Sequence, residues 1–421
     1  GGSAPSVSSR QAAKADSSKG PNRFTGTNNQ VYGVDEGDFL KTDGKYIYTI
    51  HANQVVIAKS WPVDDAKIVS KIKIDGQNAY GQQLFLNGDK LVVLSGYNTQ
   101  IKNRWIYGTR VSIYDVTDRT EPSLLRHIDT ESYLMQSRMI GDDIYLVGSA
   151  HLQVPTKIQT YANSLSKNSG RARYGTDDHK KAFNKILKRL RKKYATMPTT
   201  DLMPKQRMSA YKSEKMGAFK QSMSCNDLYA SGGTSQLGMT TVTHINLGRT
   251  FDVDTKAVMG SGWNVFASSS SLYIASPDWG WGYYFWGNQP SRKKTKTYVH
   301  KFNFRGEHKN HPTYDASGAV NGYVHNQFSM SEYNGDLRIA TTDSMWWGDQ
   351  ANNGNNLYVL RPSGRTLETI GKIEGLAKGE RIYSARMVGE KGYMVTFRQT
   401  DPLFTFDLSN PRKPKVVGEL K

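Results

Sequence analysis

A chain of 421 residues with 37% hydrophobic content and a formal charge of +19 is too long for one continuous core, so it should divide into domains or repeated sheets. No run of about 18 apolar residues occurs, which argues against a membrane-spanning helix and a retained signal peptide. The single cysteine, Cys225, excludes an intramolecular disulfide and leaves the redox compartment open. The excess positive charge invites anionic partners such as nucleic acid, acidic polysaccharide or anionic lipid; the plainer alternative is a solvated basic surface.

Residues 1–30 are rich in Ser, Gly, Ala and Lys with almost nothing apolar. Such a segment cannot bury enough surface to offset its ordering entropy and reads as a tail or linker. Its start, Gly1-Gly2-Ser3, fits an expression remnant or a processed lipoprotein end, where small residues follow the lipidated cysteine. Residues 31–421 then read as one repeating domain. Short alternating strands flank a turn at Asp43-Gly44, Asn87-Gly88, Gly141-Asp142, Ser269-Ser270, Asn334-Gly335 and Gly389-Glu390. The clearest copy is QFSMSEYNGDLRIATT, Gln327–Thr342, where Asn-Gly supplies the positive φ that a tight hairpin requires.

A second hairpin follows each first one. YDVTDRTEP and FDLSNPRKP align, each with an Asp closing a strand, residues able to cap their own turn, and a Pro before the next strand. Six copies of a four-stranded antiparallel plan predict an all-β fold, a β-propeller, complete at six blades or cut from a larger one. The third unit is interrupted by residues 149–238. This insertion carries a helical pattern at Asp178–Lys193, with Phe183, Ile186, Leu187 and Leu190 at 3–4 spacing, and a second expected helix at Pro204–Met223. Between Arg171 and Lys220 stand 15 Lys or Arg against 4 Asp or Glu, a net of +11.

With strands lettered A to D from the axis outward, every long loop falls between B and C. These loops hold Tyr97, Trp105 and Tyr107 in the second unit, Trp279, Trp281, Tyr283, Tyr284, Phe285 and Trp286 in the fourth, and Trp346 and Trp347 in the fifth. Aromatic residues and basic charge are therefore expected on one face. There the tryptophans would meet a partner and Lys188, Arg189, Arg191, Lys192 and Lys193 would steer it. Aromatic rings holding down long loops, and a docked helix with a solvated basic side, explain the same residues without a partner.

The stretches GVDEGDFLKTDGKYIY (Gly33–Tyr48), WNVFASSSSLYIA (Trp263–Ala275), NQFSMSEYNGDLRIATT (Asn326–Thr342) and the closing GERIYSARMVGEKGYMVTFRQTDPLFTFDLSNPRKPKVVGELK (Gly379–Lys421) carry a resemblance. The chain resembles the secreted β-propeller-domain family of bacteria and archaea, distantly related to WD-40 repeats. The resemblance implies a propeller fold and an exported or surface-associated protein, and it implies no established activity. It also implies further propeller units past the segment matching Lys421, so six units here mean either closure at six, or a fragment whose remaining blades are absent or supplied by another chain. An unclosed ring would leave strand edges able to pair with neighbours.

No catalytic constellation emerges. Asp35, Glu36 and Asp38 lie close together and suggest a Ca²⁺ site, although their spacing is not that of an EF-hand and a turn held by carboxylate–backbone bonds serves as well. His308 and His311 in GEHKNHP lack a third metal ligand nearby, and neither a nucleophile elbow nor a phosphate-binding loop is present. The sequence thus favours a non-enzymatic extracytoplasmic scaffold that binds a protein partner, itself, or an anionic polysaccharide or nucleic acid. One alternative is a polysaccharide hydrolase or lyase near the axis, using inner-strand residues such as Glu332 and Arg386. Another is the subunit of an extracellular homopolymer.

Overall fold

Asn334 and Gly335 both adopt positive φ, at 52° and 82°, and close the hairpin in which Tyr333 faces Asp336. In the computed structural model the same plan repeats through the chain. It describes residues 29–74, 82–101, 104–152, 177–196, 198, 202–230, 238–248, 251–278, 295–304, 311–343, 353–397 and 402–420.

Six four-stranded antiparallel blades follow one another. Blade one comprises Leu40–Thr42, Tyr46–His51, Gln54–Lys59 and Lys67–Lys73. Blade two comprises Gln83–Asn87, Lys90–Ile101, Arg104–Asp115 and Ser123–Thr130. Blade three comprises Tyr133–Ile140, Asp143–His151, Gly238–Asn246 and Val253–Met259. Blade four comprises Asn264–Ala267, Ser271–Asp278, Lys296–Asn303 and Thr313–Asn321. Blade five comprises Met330–Tyr333, Asp336–Thr342, Asn355–Ser363 and Thr366–Leu376. Blade six comprises Arg381–Val388, Lys391–Phe397, Leu403–Asp407 and Lys415–Leu420.

The aligned C–D turns behave as their residues require. The Asp115 carboxylate accepts from the Thr117 hydroxyl and N–H at 2.6 and 2.8 Å, and Asp407 accepts from Ser409 at 2.6 and 3.0 Å. Those bonds, the hydroxyl first, hold both carboxyls below the usual range.

Five apolar cores join successive blades, one at each seam from blade one to blade six. Burial along the B strands follows from this stacking. In blades two to five these strands are buried on both faces, as along Asp336–Thr342. In blade six Gly392, Met394 and Thr396 are buried while Lys391, Tyr393 and Phe397 are exposed. Blade one shows the milder form, with Tyr48, Val55 and Ile57 buried and Ile47, Thr49, Val56 and Ala58 only half-buried. Among the described residues no apolar cluster joins blade six to blade one.

The chain's first described residues run inside the ring of A strands. Asp35 and Glu36 pair with Met139 and Arg138 on the inner edge of blade three, and Asp38 bridges to Leu84 of blade two. The Gln30 side chain donates to the carbonyls of Gln327 and Met330 at 3.2 and 3.1 Å, reaching blade five. Val34 enters the core between blades three and four. Asn29 and Gln30, the last two residues of the expected tail, thus take part in the domain's hydrogen bonds.

Two expectations for the insertion part ways. Helix α1 spans Asp177–Tyr194, one residue longer at each end than its sequence pattern. No helix forms over Pro204–Met223. That stretch instead gives two short strands, Lys205–Met208 and Lys220–Gln221, which extend the outer edge of blade two. An available D-strand edge, which satisfies backbone donors and acceptors row by row, overrides a weak helical spacing. Likewise Gly96–Thr109 is no loop. Strands B and C of blade two continue through it as a long ribbon, from Gly96 paired with Thr109 out to Ile101 paired with Arg104.

Candidate functional site

The ribbon of blade two carries Trp105 and Tyr107 two residues apart on one strand, so their side chains leave on the same face. Their ring centroids lie 6.2 Å apart with planes 28° from parallel. They are 53% and 42% exposed, and Tyr133 at the start of blade three is 40% exposed. With Glu131, Ser149 and His151 these rings line an open cleft of about 140 Å³ between blades two and three.

Close backbone packing holds the ribbon beside this cleft. A Cβ at Gly108 would stand 1.8 Å from the Thr130 carbonyl oxygen, so only glycine lets the ribbon lie against the junction of the two blades. Below the ribbon, Asp129 is fully buried and takes Arg110 through both carboxylate oxygens at 2.7 and 3.0 Å. It also accepts from Arg207 Nε at 2.9 Å, and Arg207 in turn covers the Phe219 ring at 4.5 Å. Burial, with the Asp129 and Glu131 carboxylates nearby, raises the Tyr97 hydroxyl well above its ordinary value.

The basic insertion is rooted on this cleft at both ends. It leaves blade three at His151, which lines the cleft. It passes the cleft again at Lys205, whose N–H donates to the Glu131 carboxylate at 3.0 Å, and rejoins blade three at Gly238, which pairs with His151. Lys188, Arg189, Arg191, Lys192 and Lys193 are all exposed on helix α1, while Ile186, Leu187 and Leu190 are half-buried. The expected split between a charged side and an apolar stripe therefore holds where the helix is described.

The five tryptophans named from sequence, Trp279, Trp281, Trp286, Trp346 and Trp347, lie outside the described residues. Their chain positions fall between the B and C strands of blades four and five. Sequence reasoning missed Glu131, Tyr133, Ser149 and His151. These residues sit on strand ends that show no local signal and meet the ribbon only through blade stacking.

The acidic cluster before the first blade serves the ring interior. Asp35 receives Lys41 Nζ at 2.8 Å, and that ammonium also donates to the Glu36 carbonyl at 2.7 Å. Glu36 accepts from Gln327 at 3.1 Å and stands 3.9 Å from the Arg138 guanidinium. Asp38 accepts from the N–H of Phe39 at 2.7 Å. Asp35 and Glu36, adjacent on a strand, point to opposite faces. No group of three or more His, Cys, Asp or Glu side chains placed to hold a metal ion occurs among the described residues.

Nor do the axial residues considered for catalysis converge. Glu332 accepts from Ser268 at 2.9 Å across the seam between blades four and five. Arg386 stacks over the Phe328 ring at 4.6 Å.

Blade plan and cleft together define a β-propeller with a decorated B–C face. The chain belongs to the family described as the beta propeller domain, which matches residues 24–421. It is 29% identical over 453 residues to an uncharacterised protein of Methanocaldococcus jannaschii, covering 99% of this chain and 64% of that one. It is 46% identical over 131 residues to an uncharacterised protein of Archaeoglobus fulgidus, covering 31% of this chain and 19% of that one. The chain thus spans less than two-thirds of either relative. Among solved structures it is similar to the N-terminal domain of Nup159, with a TM-score of 0.34 at 7% identity over 90% of this chain and 74% of that one. It is also similar to the β-propeller domain of the Trilobed protease from Pyrococcus furiosus, with a TM-score of 0.22 at 8% identity over 81% and 85%. Likenesses this distant carry no argument about function.

Proposed function

We propose that this chain is a non-enzymatic, extracytoplasmic propeller that acts as an assembly scaffold, docking a protein partner on the free faces of blades one and six. The observation that carries this reading is the single-sided burial of those two blades. At every seam the trailing face of one blade packs on the leading face of the next. Among the described residues one face of each kind stays uncovered, with Ile68 at 58% exposure on blade one and Tyr383 at 63% and Leu420 at 69% on blade six. The two uncovered faces are of the kinds that meet at every other seam, so each can take a further blade, and between copies blade six can pack on blade one, a heterologous contact that builds rings or filaments. The placement outside the cytoplasm rests on the resemblance to a secreted family.

Light scattering across a concentration series tests the scaffold. The expected result is a mass above that of one chain, falling to one chain in the double variant Tyr393→Glu, Phe397→Glu, whose positions are exposed and tolerate charge. A wild-type chain that stays single at every concentration overturns self-assembly through these faces.

A second reading, binding of an anionic polymer, is favoured by the five exposed cations of helix α1. Charge reversal of Lys188, Arg189, Arg191, Lys192 and Lys193 should abolish retention on immobilised polygalacturonate and flatten its salt dependence. Unchanged retention removes the helix from that role.

A further inference from the structure

We propose that the cleft between blades two and three binds a pyranose unit of an acidic polysaccharide, with the sugar's C–H face laid on Trp105 and Tyr107. The inference stands apart from the assembly reading; it rests on the anionic-polymer reading and gives it a place and a chemistry.

Three observations converge. The first is the aromatic strip. Trp105 and Tyr107 lie in consecutive outward positions of one strand, with ring centroids 6.2 Å apart and planes 28° from parallel, and both are about half exposed. Rings packed to hold a loop down would be covered by it, whereas these present flat apolar surface to an open cleft. A flat apolar face with a polar rim suits a ligand that is itself apolar on one face and hydroxylated at its edge.

The second is the set of polar groups around that face. Glu131 lines the cleft, buried, and its carboxylate accepts the Lys205 N–H. Ser149 and His151, two apart on the B strand of blade three, share one face and line the opposite wall. Hydroxyl donors of a sugar thus meet a carboxylate, a hydroxyl and an imidazole across the cleft from the rings.

The third is charge. The segment carrying the chain's densest positive charge lies within the insertion that leaves blade three at the cleft-lining His151, and its Lys205 N–H donates to the cleft-lining Glu131. Residues 171–220 hold a net of +11, tethered to the rim. A polymer of uronate units is drawn in by that charge, and the cleft engages one ring of it.

The experiment is calorimetric titration of the full chain with hexagalacturonate, cellohexaose and an oligothymidylate. The expected result is binding of hexagalacturonate, tighter than cellohexaose. It should weaken about tenfold or more in Trp105→Ala, Tyr107→Ala, and less in Trp105→Phe, Tyr107→Phe, which keeps the flat rings. Circular dichroism and thermal melting check that each variant folds. Three results overturn the proposal: no binding of either hexasaccharide, binding that the alanine pair leaves unchanged, or ring-dependent binding of the oligothymidylate alone. The helix charge-reversal variant separates the two claims. Loss of hexagalacturonate binding there with no effect of the alanine pair keeps the polymer reading and sinks the cleft. Ring-dependent binding that survives charge reversal keeps the cleft and removes the helix.

Discussion

Asp129 shows how one residue joins distant parts of the chain. It sits on the outer strand of blade two, fully buried, and holds Arg110 of the neighbouring strand together with Arg207 of the insertion. Removing one partner from a buried ionic network leaves the remaining charges uncompensated, at a typical cost of about 3–5 kcal/mol. Asp129→Ala should therefore lower the unfolding free energy read from urea denaturation by that amount and expose residues 205–221 to limited proteolysis before the blades unfold. His300 gives a pH signature. Burial alone pushes its imidazole from 6.5 down to about 4, with Nδ1 3.1 Å from the Tyr314 hydroxyl. The unfolded chain then takes up a proton below pH 6.5 that the folded chain refuses until about pH 4. Stability from this group is complete above 6.5 and falls through that window by up to about 1.4 kcal/mol per pH unit. Unfolding midpoints of wild type and His300→Gln, measured from pH 7.5 to 4, should converge as pH drops.

Among the elements, the short segment at residues 29–38 is the least expected contributor. Nothing in GVDEGDF advertises an inner strand, yet Asp35–Glu36 add to blade three, Asp38 touches blade two and Gln30 reaches blade five. It ties non-adjacent blades together from within. Burial pulls the Arg138 guanidinium below its ordinary value, with Glu36 acting against that shift, which marks the ring interior as poorly solvated. Deleting residues 1–38 removes the Val34 side chain from its core and several buried hydrogen bonds. The expected loss is about 2–5 kcal/mol, read by urea unfolding. The second hairpins of blades two and six show the opposite case: Asp115 and Asp407 cap their turns as YDVTDRTEP and FDLSNPRKP foretell, because that chemistry is local.

At the scale of the molecule, stacking decides what each blade exposes. Blades two to five bury both faces of their B strands, and blades one and six bury one. The six four-stranded units within residues 31–421 and the order of their strands follow from repeat and turn signals, since Gly and Asn positions with positive φ mark hairpins wherever they stand in space. The face that carries the cleft was also legible, because strand order alone puts B–C connections at one end.

What remained hidden in the sequence depends on contacts between residues far apart in the chain. The stretch Lys205–Met208 carries no strand pattern of its own; it becomes a strand because the edge of blade two offers it partners. Glu131, Ser149 and His151 become neighbours of Trp105 only when blade three stacks on blade two. Turn and alternation chemistry, acting over a few residues, let the sequence by itself determine the repeat and the fold. The cleft, the segment inside the ring and the two uncovered faces were decided by tertiary packing, because each depends on which blade lies against which.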